Sequence, residues 1–532
     1  MSTTTQALPL RRTGAAARAA DDPYAHRYLI ALTVTLASVL ELLDTSIVNV
    51  AIPHMMGTLG ATLDQIAWVS TGYVVANVIV LPITGWLSAR FGRRRYFAAS
   101  IALFTVASFF CGNAHSLGAL VFWRIAQGVG GGALLSTSQS ILYEVFPREE
   151  FGTAMAIFGM GVMVGPTLGP TLGGYITDAM GWPWIFYINI PLGMIALAMT
   201  LGYIKDSRFA QKVASVDWTG LALLILGIGS LQTFLERGER LDWFESGEVL
   251  TLAVVSAVSL VVFVWHELRT EHPIVDLRIL KSRQLSAGIA FAAMLGLCLY
   301  ATVFVLPVYL QTLLGFTAEQ TGFVILPGAL ASAFTMAAMA RTAGKVDGRI
   351  LVVVGVAIFF SSMLMHSHFT TQSGKPDFFW PLILRGVGLG LIFVPMTNLA
   401  LADLPMEQIP GGTGLYNLTR QLGGSIGIAV TATLVSRFRG ENYAVLSEHV
   451  SRYGQATQER LAMITQGLIA RGMPAPVAET QAIGIIQKQV MGQAAMLSYQ
   501  HIFLMFGMGM ALGLPLLLFM RKGKGRAGAD VH

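Results

Sequence analysis

A succession of apolar runs restricts this chain more than any other feature. Fourteen stretches can each cross the roughly 30 Å hydrocarbon core of a bilayer, which takes about 20 residues. They lie near 28–53, 66–88, 96–114, 117–141, 152–176, 183–204, 217–235, 248–266, 286–311, 319–340, 349–367, 378–400, 413–437 and 500–520. Lipid offers the backbone no hydrogen bonds, so spans like these are expected to be helical. Only 12% of the 532 residues are charged, against about 25% in a soluble domain. The fold class is an all-α polytopic membrane protein. Its 57 glycines suit close packing, because helices in lipid approach through small residues.

The links are short except for 438–499, which is polar and Gln-rich and reads as an extramembrane helical segment. Lys and Arg gather in alternate links: ARFGRRR after the second run, then 205–216, 267–285 and 341–349, and the RKGKGR stretch. Alternating spans bring all of these to one side. That side is the cytoplasm, which makes 1–27 and 521–532 cytoplasmic tails and puts 438–499 outside. The basic residues of 438–499 weigh little, since the rule is weak for loops that long. Residues 1–27 do not read as a signal peptide, because the apolar run that follows is too long and carries acids. Cys111 and Cys298 fall inside apolar runs, so neither a structural disulfide nor a metal site is expected.

The sequence repeats itself. Gly128, Val129, Gly130, Gly132 and Pro147 recur at one offset as Gly386, Val387, Gly388, Gly390 and Pro405. The link at 85–95 has a weaker echo at 340–349. Each echo lies eight spans from its partner. The organisation is therefore a six-helix bundle at 28–204, two inserted spans with their links at 205–285, and a second six-helix bundle at 286–520. Parallel halves of six are the layout of a rocking transporter, with substrate bound between them near the midplane.

The first run holds two acids, Glu41 and Asp44, in LELLDTSIVNVAIP (40–53). An acid inside a span costs about 2.5–3.5 kcal/mol unless it is paired, protonated or facing water. The i, i+3 spacing puts both on one helical face. Arg124, in FWRIAQGVGGG of the fourth run, lies at a matching depth in the outer half of the bilayer. Asp44 and Arg124 could pair and relieve the burial cost of both. Protonating the acid would then break the pair and act as a switch. A salt bridge that only holds the two spans together is the alternative.

Two further segments have the same double reading. GMGVMVGPTLGPTLGGY (159–175) repeats Gly161, Gly165, Gly169 and Gly173 every four residues, beside Pro166 and Pro170. It offers a smooth face along which another helix can slide, together with a bend, or else a static seam. In GWLSARFGRRR (85–95), Gly85 and Gly92 allow a tight reversal, while Arg90, Arg93 and Arg94 can meet helix ends and carboxylates, or simply anchor the turn in the cytoplasm. Arg385 in the twelfth run and Arg420, near Asn417 in NLTRQLGGSIG of the thirteenth, have no evident partners, and a structural role is favoured for them. Asp217 reads as a helix N-terminal anion.

These motifs together resemble the fourteen-span drug:proton antiporters of the major facilitator superfamily, in particular the EmrB-type pumps. LDTSIVNVAIP is similar to that family's first-span signature, GWLSARFGRRR to its loop motif, RIAQGVGGG to its fourth-span motif and GPTLGPTLGGY to its antiporter motif. GLALLILGIGSLQTFLERGERLDWF, PIVDLRILKSR and NLTRQLGGSIG extend the likeness over nearly the whole chain. The resemblance implies proton-driven export of hydrophobic toxic compounds, with no cofactor beyond the proton gradient. It also implies a bacterial inner membrane, a membrane-fusion adaptor and an outer-membrane channel. By position, Asp44 is the first-span acid and Arg124 the fourth-span arginine. The chain departs from the family at Ala89, where the loop motif usually has an acid, so the charge latch at that turn is expected to be weak or absent. Glu41 is not part of the signature, and it either carries a second proton or tunes Asp44.

No GxxxxGK[ST] loop is present, so nothing suggests ATP use. A membrane-integral lipid-acting enzyme would need clustered His and Asp, and the histidines here are scattered. A proton-coupled importer on the same fold is the other alternative. Depth and polarity suggest Gln139, Tyr300, Phe304 and Asn398 as substrate-cavity residues.

Overall fold

The computed structural model describes residues 26–147, 150–207, 216–342, 346–451 and 453–520. Most of the two terminal tails and part of the first inserted link lie outside these. The chain is built from long helices: α1 (Arg27–Leu59), α2 (Asp64–Phe91, with a 3₁₀ turn at Leu81–Ile83), α3 (Arg93–Gly112), α4 (Leu117–Val145), α5 (Phe151–Met180) and α6 (Trp184–Tyr203). The inserted pair follows, α7 (Trp218–Arg237) and α8 (Gly247–Arg269). Then come α9 (Arg283–Thr312), α10 (Ala318–Thr342), α11 (Gly348–His366), α12 (Phe379–Leu401), α13 (Ile409–His449), α14 (Gln455–Ile469) and α15 (Ala475–Leu512).

Thirteen helices among the described residues are long and apolar enough to cross a membrane. The expected run at 413–437 lies within α13, which is not one of the thirteen. That helix carries Asn417, Arg420, Gln421 and several glycines through its buried stretch. A span this polar is tolerated where protein rather than lipid surrounds it. Accordingly α13 packs on α9, α15, α4 and α2. Most of the described residues of 438–499 are helical as expected, in the far end of α13, in α14 and in the first part of α15.

The internal repeat is carried by glycines that occupy matching places. A Cβ on Gly128 would fall 2.4 Å from Tyr73 O, and one on Gly132 would fall 2.5 Å from Asn77 O, both on α2. A Cβ on Gly130 would meet Ser100 O and Phe104 N at 2.8 Å on α3. In the second half, Gly386 lies against Gly328 and Gly390 against Ser332 and Thr335 of α10, while Gly388 lies against Phe359 and Gly355 of α11. So α4 is clamped between α2 and α3 just as α12 is between α10 and α11. Two bundles of one design face each other, joined mainly by α5 on α10 and by α2 and α4 on α13. The inserted α7 and α8 pack against each other, and α7 lies along the seam formed by α2 and α13.

Candidate functional site

Asp44 sits at the centre of a buried polar cluster within the first half. Its Oδ2 accepts a hydrogen bond from Arg124 Nη1 at 2.6 Å. Its Oδ1 accepts from Gln127 Nε2 at 2.9 Å and from Asn189 Nδ2 at 2.7 Å. Arg124 spends its other donors within the bundle: Nη1 also reaches Gln127 Oε1 at 2.7 Å, and Nε reaches Val69 O at 3.0 Å. Its guanidinium lies 4.1 Å from the centroid of the Tyr73 ring, a cation–π contact. Ser108 Oγ lies within reach of both amides, 3.2 Å from Gln127 and 3.0 Å from Asn189. Asp44 and Arg124 are 0% and 1% exposed. Five helices, α1, α2, α3, α4 and α6, thus converge on one carboxylate, and every contributor to the cluster lies in the first half.

Glu41 lies one turn away and belongs to a different group. Its Oε1 accepts from Asn77 Nδ2 at 2.9 Å, and its buried Oε2 has no hydrogen-bond partner among the described residues. Asn77 Oδ1 in turn accepts from Gln421 Nε2 of α13 at 3.3 Å. Although the i, i+3 acids share a helical face, they have separate partners. Asp44 is enclosed by its own bundle, and Glu41 is linked through Asn77 to the opposite one.

The third side of α1 meets the glycine face of α5. A Cβ on Gly161 would fall 2.3 Å from Thr35 Cγ2, one on Gly165 2.9 Å from Leu42 Cβ, one on Gly169 2.5 Å from Ser46 Oγ, and one on Gly173 2.8 Å from Ile47 Cγ1. The helix that the glycines accommodate is therefore the one that carries both acids. Helix α5 runs unbroken from Phe151 to Met180, with Pro166 and Pro170 inside it. The Pro166 side chain lies outside the described residues.

The turn between α2 and α3 is tied by acids from elsewhere. Arg93 pairs with Glu144 at the end of α4. The Arg94 backbone N–H donates to Asp206 Oδ1 at 2.9 Å, and its guanidinium donates to Leu201 O. Gly92, at φ +84°, lies so close that a Cβ there would sit 3.0 Å from Asp206 Oδ1. Ala89 contributes no charge, and the ties at this turn come from acids elsewhere in the chain. Glu144 and Asp206 supply the acids that position 89 does not. Gly85 meets α13 instead, with a Cβ there falling 3.0 Å from Gly411 N. Arg90 is exposed. Asp217 caps α7, accepting from Gly220 N at 2.9 Å.

Between the halves, α1, α5, α9, α10, α12 and α13 enclose a largely apolar cavity. Tyr300 is on its wall, and so are Arg385 and Arg420. Phe304 is 40% exposed and does not line it. Gln139 lies farther along α4 toward Val145, where its Oε1 accepts from Asn417 Nδ2 at 2.8 Å across the seam. Asn398 Oδ1 accepts from Tyr143 Oη at 3.4 Å, a second link between α4 and the other half.

The family model of the Major Facilitator Superfamily matches residues 34–428, most of both bundles. The chain belongs to the major facilitator superfamily. It is 36% identical over 510 residues to the multidrug export protein EmrB of Escherichia coli K12, covering 95% of this chain and 98% of that protein. It is 37% identical over 476 residues to the fatty acid resistance protein FarB of Neisseria gonorrhoeae, covering 89% and 92%. Its fold is that of the proton:xylose symporter XylE, with TM-score 0.59 at 12% identity over 94% of this chain and 97% of that one. Within the superfamily, the chain is an EmrB-type drug transporter.

Sequence reasoning for this transporter overlooked the uncharged members of the sites. Gln127 stands three residues after Arg124, on the same helical face, which was an available signal. Asn189, Ser108 and Asn77 carried no comparable sign. Also overlooked was the stitching of the inserted α7. Thr71 Oγ1 of α2 donates to Glu236 Oε2 at 2.6 Å, Gln232 Nε2 donates to Ser425 Oγ of α13 at 2.9 Å, and Trp243 Nε1 donates to Thr433 Oγ1 at 3.0 Å. The inserted α7 and the link that follows it thus bridge the two halves of this superfamily member.

Proposed function

We propose that this transporter is a proton-coupled multidrug exporter of a bacterial inner membrane, moving hydrophobic toxic compounds outward by alternating access. The observation that carries this reading is the enclosure of Asp44 by Arg124, Gln127 and Asn189. Ionised, Asp44 holds three donors from α4 and α6. Protonated, it loses its charge and one acceptor position. Arg124 is then left without its counterion, and the first half favours another arrangement. Glu41, with one oxygen free beside the seam, is the relay between the cavity and Asp44. The glycine face of α5 lets α1 shift as the pair opens and closes.

Hydrophobic substrate occupies the cavity between the halves, which closes alternately on each side. Both termini are cytoplasmic. The helical segment 438–499 lies outside and takes the membrane-fusion adaptor, which leads to an outer-membrane channel. The match to EmrB over 98% of that protein supports the assignment.

The test is transport in proteoliposomes with an imposed pH gradient and a panel of lipophilic compounds. An exporter of this kind moves several of them against their gradients only while the pH gradient persists. Transport that is unchanged when the gradient is collapsed would rule the coupling out.

A further inference from the structure

The cavity between the halves is walled by apolar groups, among them Leu42, Val162, Leu389 and Phe393, yet two arginines open onto it. Arg385 is 7% exposed and Arg420 3% exposed. Neither makes an ion pair among the described residues. Arg385 Nη1 and Arg420 Nε and Nη1 are buried donors with no acceptor among the described residues. The Arg420 guanidinium does lie against the Phe393 ring, whose centroid is 5.1 Å away. Glu41 feels the Arg420 charge across the seam but lies beyond ion-pair distance, tied to Asn77.

Burying one unpaired guanidinium is costly, and two around one cavity are costlier still. Arg124, equally buried, shows how this fold treats a cation it keeps for itself: Nη1 is paired with Asp44, Nε is bonded to Val69 O, and the guanidinium lies against the Tyr73 ring. Arg385 and Arg420 come from different helices, α12 and α13, and line the same cavity between the halves. A planar fork of donors matches a carboxylate or a similar oxyanion, and the surrounding apolar walls match a hydrocarbon or aromatic body.

We infer that Arg385 and Arg420 form a binding site for the acid group of an amphiphilic anion whose apolar body lies against Val162, Leu389 and Phe393. This rests on the transporter reading of the cavity and names the substrate chemistry it accepts. The same chemistry, an oxyanion on an apolar tail, is shared by a free organic acid and by an anionic lipid.

The test compares three twelve-carbon probes on the full-length protein in nanodiscs: dodecanoate, dodecanol and dodecyltrimethylammonium. The wild type is expected to bind dodecanoate at least about tenfold more tightly than either of the others. Arg385→Gln and Arg420→Gln should each remove most of that preference, with Lys at either position recovering part of it. Equal binding of the three probes by the wild type overturns the site whether or not a variant folds. So does a preference for dodecanoate that survives both Gln substitutions in protein with a wild-type melting profile. Repeating the measurement in phosphatidylglycerol rather than phosphatidylcholine nanodiscs separates the two sources: competition assigns the site to a resident anionic lipid, and none assigns it to a free acid. The transport reading is tested separately. If pH-driven flux of a cationic dye in proteoliposomes persists while dodecanoate preference is absent, the anion site alone fails; if no compound moves, the transporter reading fails.

Discussion

Gln421 of the second half donates a hydrogen bond to Asn77 of the first, and the same Asn77 donates to Glu41. A buried carboxylate is thereby coupled through one amide to the contact between the bundles. A change of charge at Glu41 alters what Asn77 can offer Gln421, so proton occupancy bears directly on how firmly the halves are held.

Glu41→Gln keeps the carbonyl oxygen that Asn77 donates to and removes the titrating group. The fold should persist, while initial transport rates plotted against the imposed pH gradient should flatten, with at least about a tenfold loss at the steepest gradient. A wild-type slope in this variant would exclude Glu41 from coupling.

Asp44→Asn should abolish proton-driven flux and retain some substrate binding. It also leaves Arg124 buried without a counterion, which costs on the order of 3–5 kcal/mol. The double change Asp44→Asn with Arg124→Gln should recover much of the thermal stability in detergent but none of the flux. That separation tells a proton site from a purely structural bridge, for which stability and flux would recover together.

Gly169→Ala places a methyl group 2.5 Å from Ser46 Oγ, and Gly165→Ala places one 2.9 Å from Leu42 Cβ. Each should cost about 1–3 kcal/mol through overpacking. Adding Ser46→Gly to Gly169→Ala should restore melting temperature and transport rate. Failure of this rescue would show that α5 does not act through its contact with α1.

Replacing residues 451–474, which include α14, with a short Gly/Ser linker leaves α13 and α15 joined. Resistance of whole cells should fall to the level of cells lacking the transporter, while pH-driven flux in proteoliposomes should stay within about twofold of wild type. Unchanged resistance would remove the segment as an adaptor contact.

Much of this arrangement could be read from the sequence. The apolar runs and the glycine offset gave the two bundles, and the depths of Asp44 and Arg124 brought them within reach of each other. Charges inside spans are rare enough to be conspicuous. Neutral amides are not: Gln127, Asn189 and Asn77 look like ordinary polar residues until several helices bring them to one point. The ties at the α2–α3 turn are hidden from the sequence for a similar reason. Their acids, Glu144 and Asp206, are distant in sequence, and only the fold brings them to Arg93 and Arg94. For Arg385 and Arg420, the lack of an ion-pair partner among the described residues is a property of the fold that no local pattern in the sequence carries.

Helix α13 runs for 41 residues without a break. From Gln421, where it touches Asn77, to its far end at His449 is about 42 Å at 1.5 Å per residue. A stiff rod of that length converts a small tilt at the seam into a large stroke at the tip, about 7 Å for a 10° rotation by the same geometry. Anything gripping the tip would be moved mechanically by each turnover, and clamping the tip would load the gate in return.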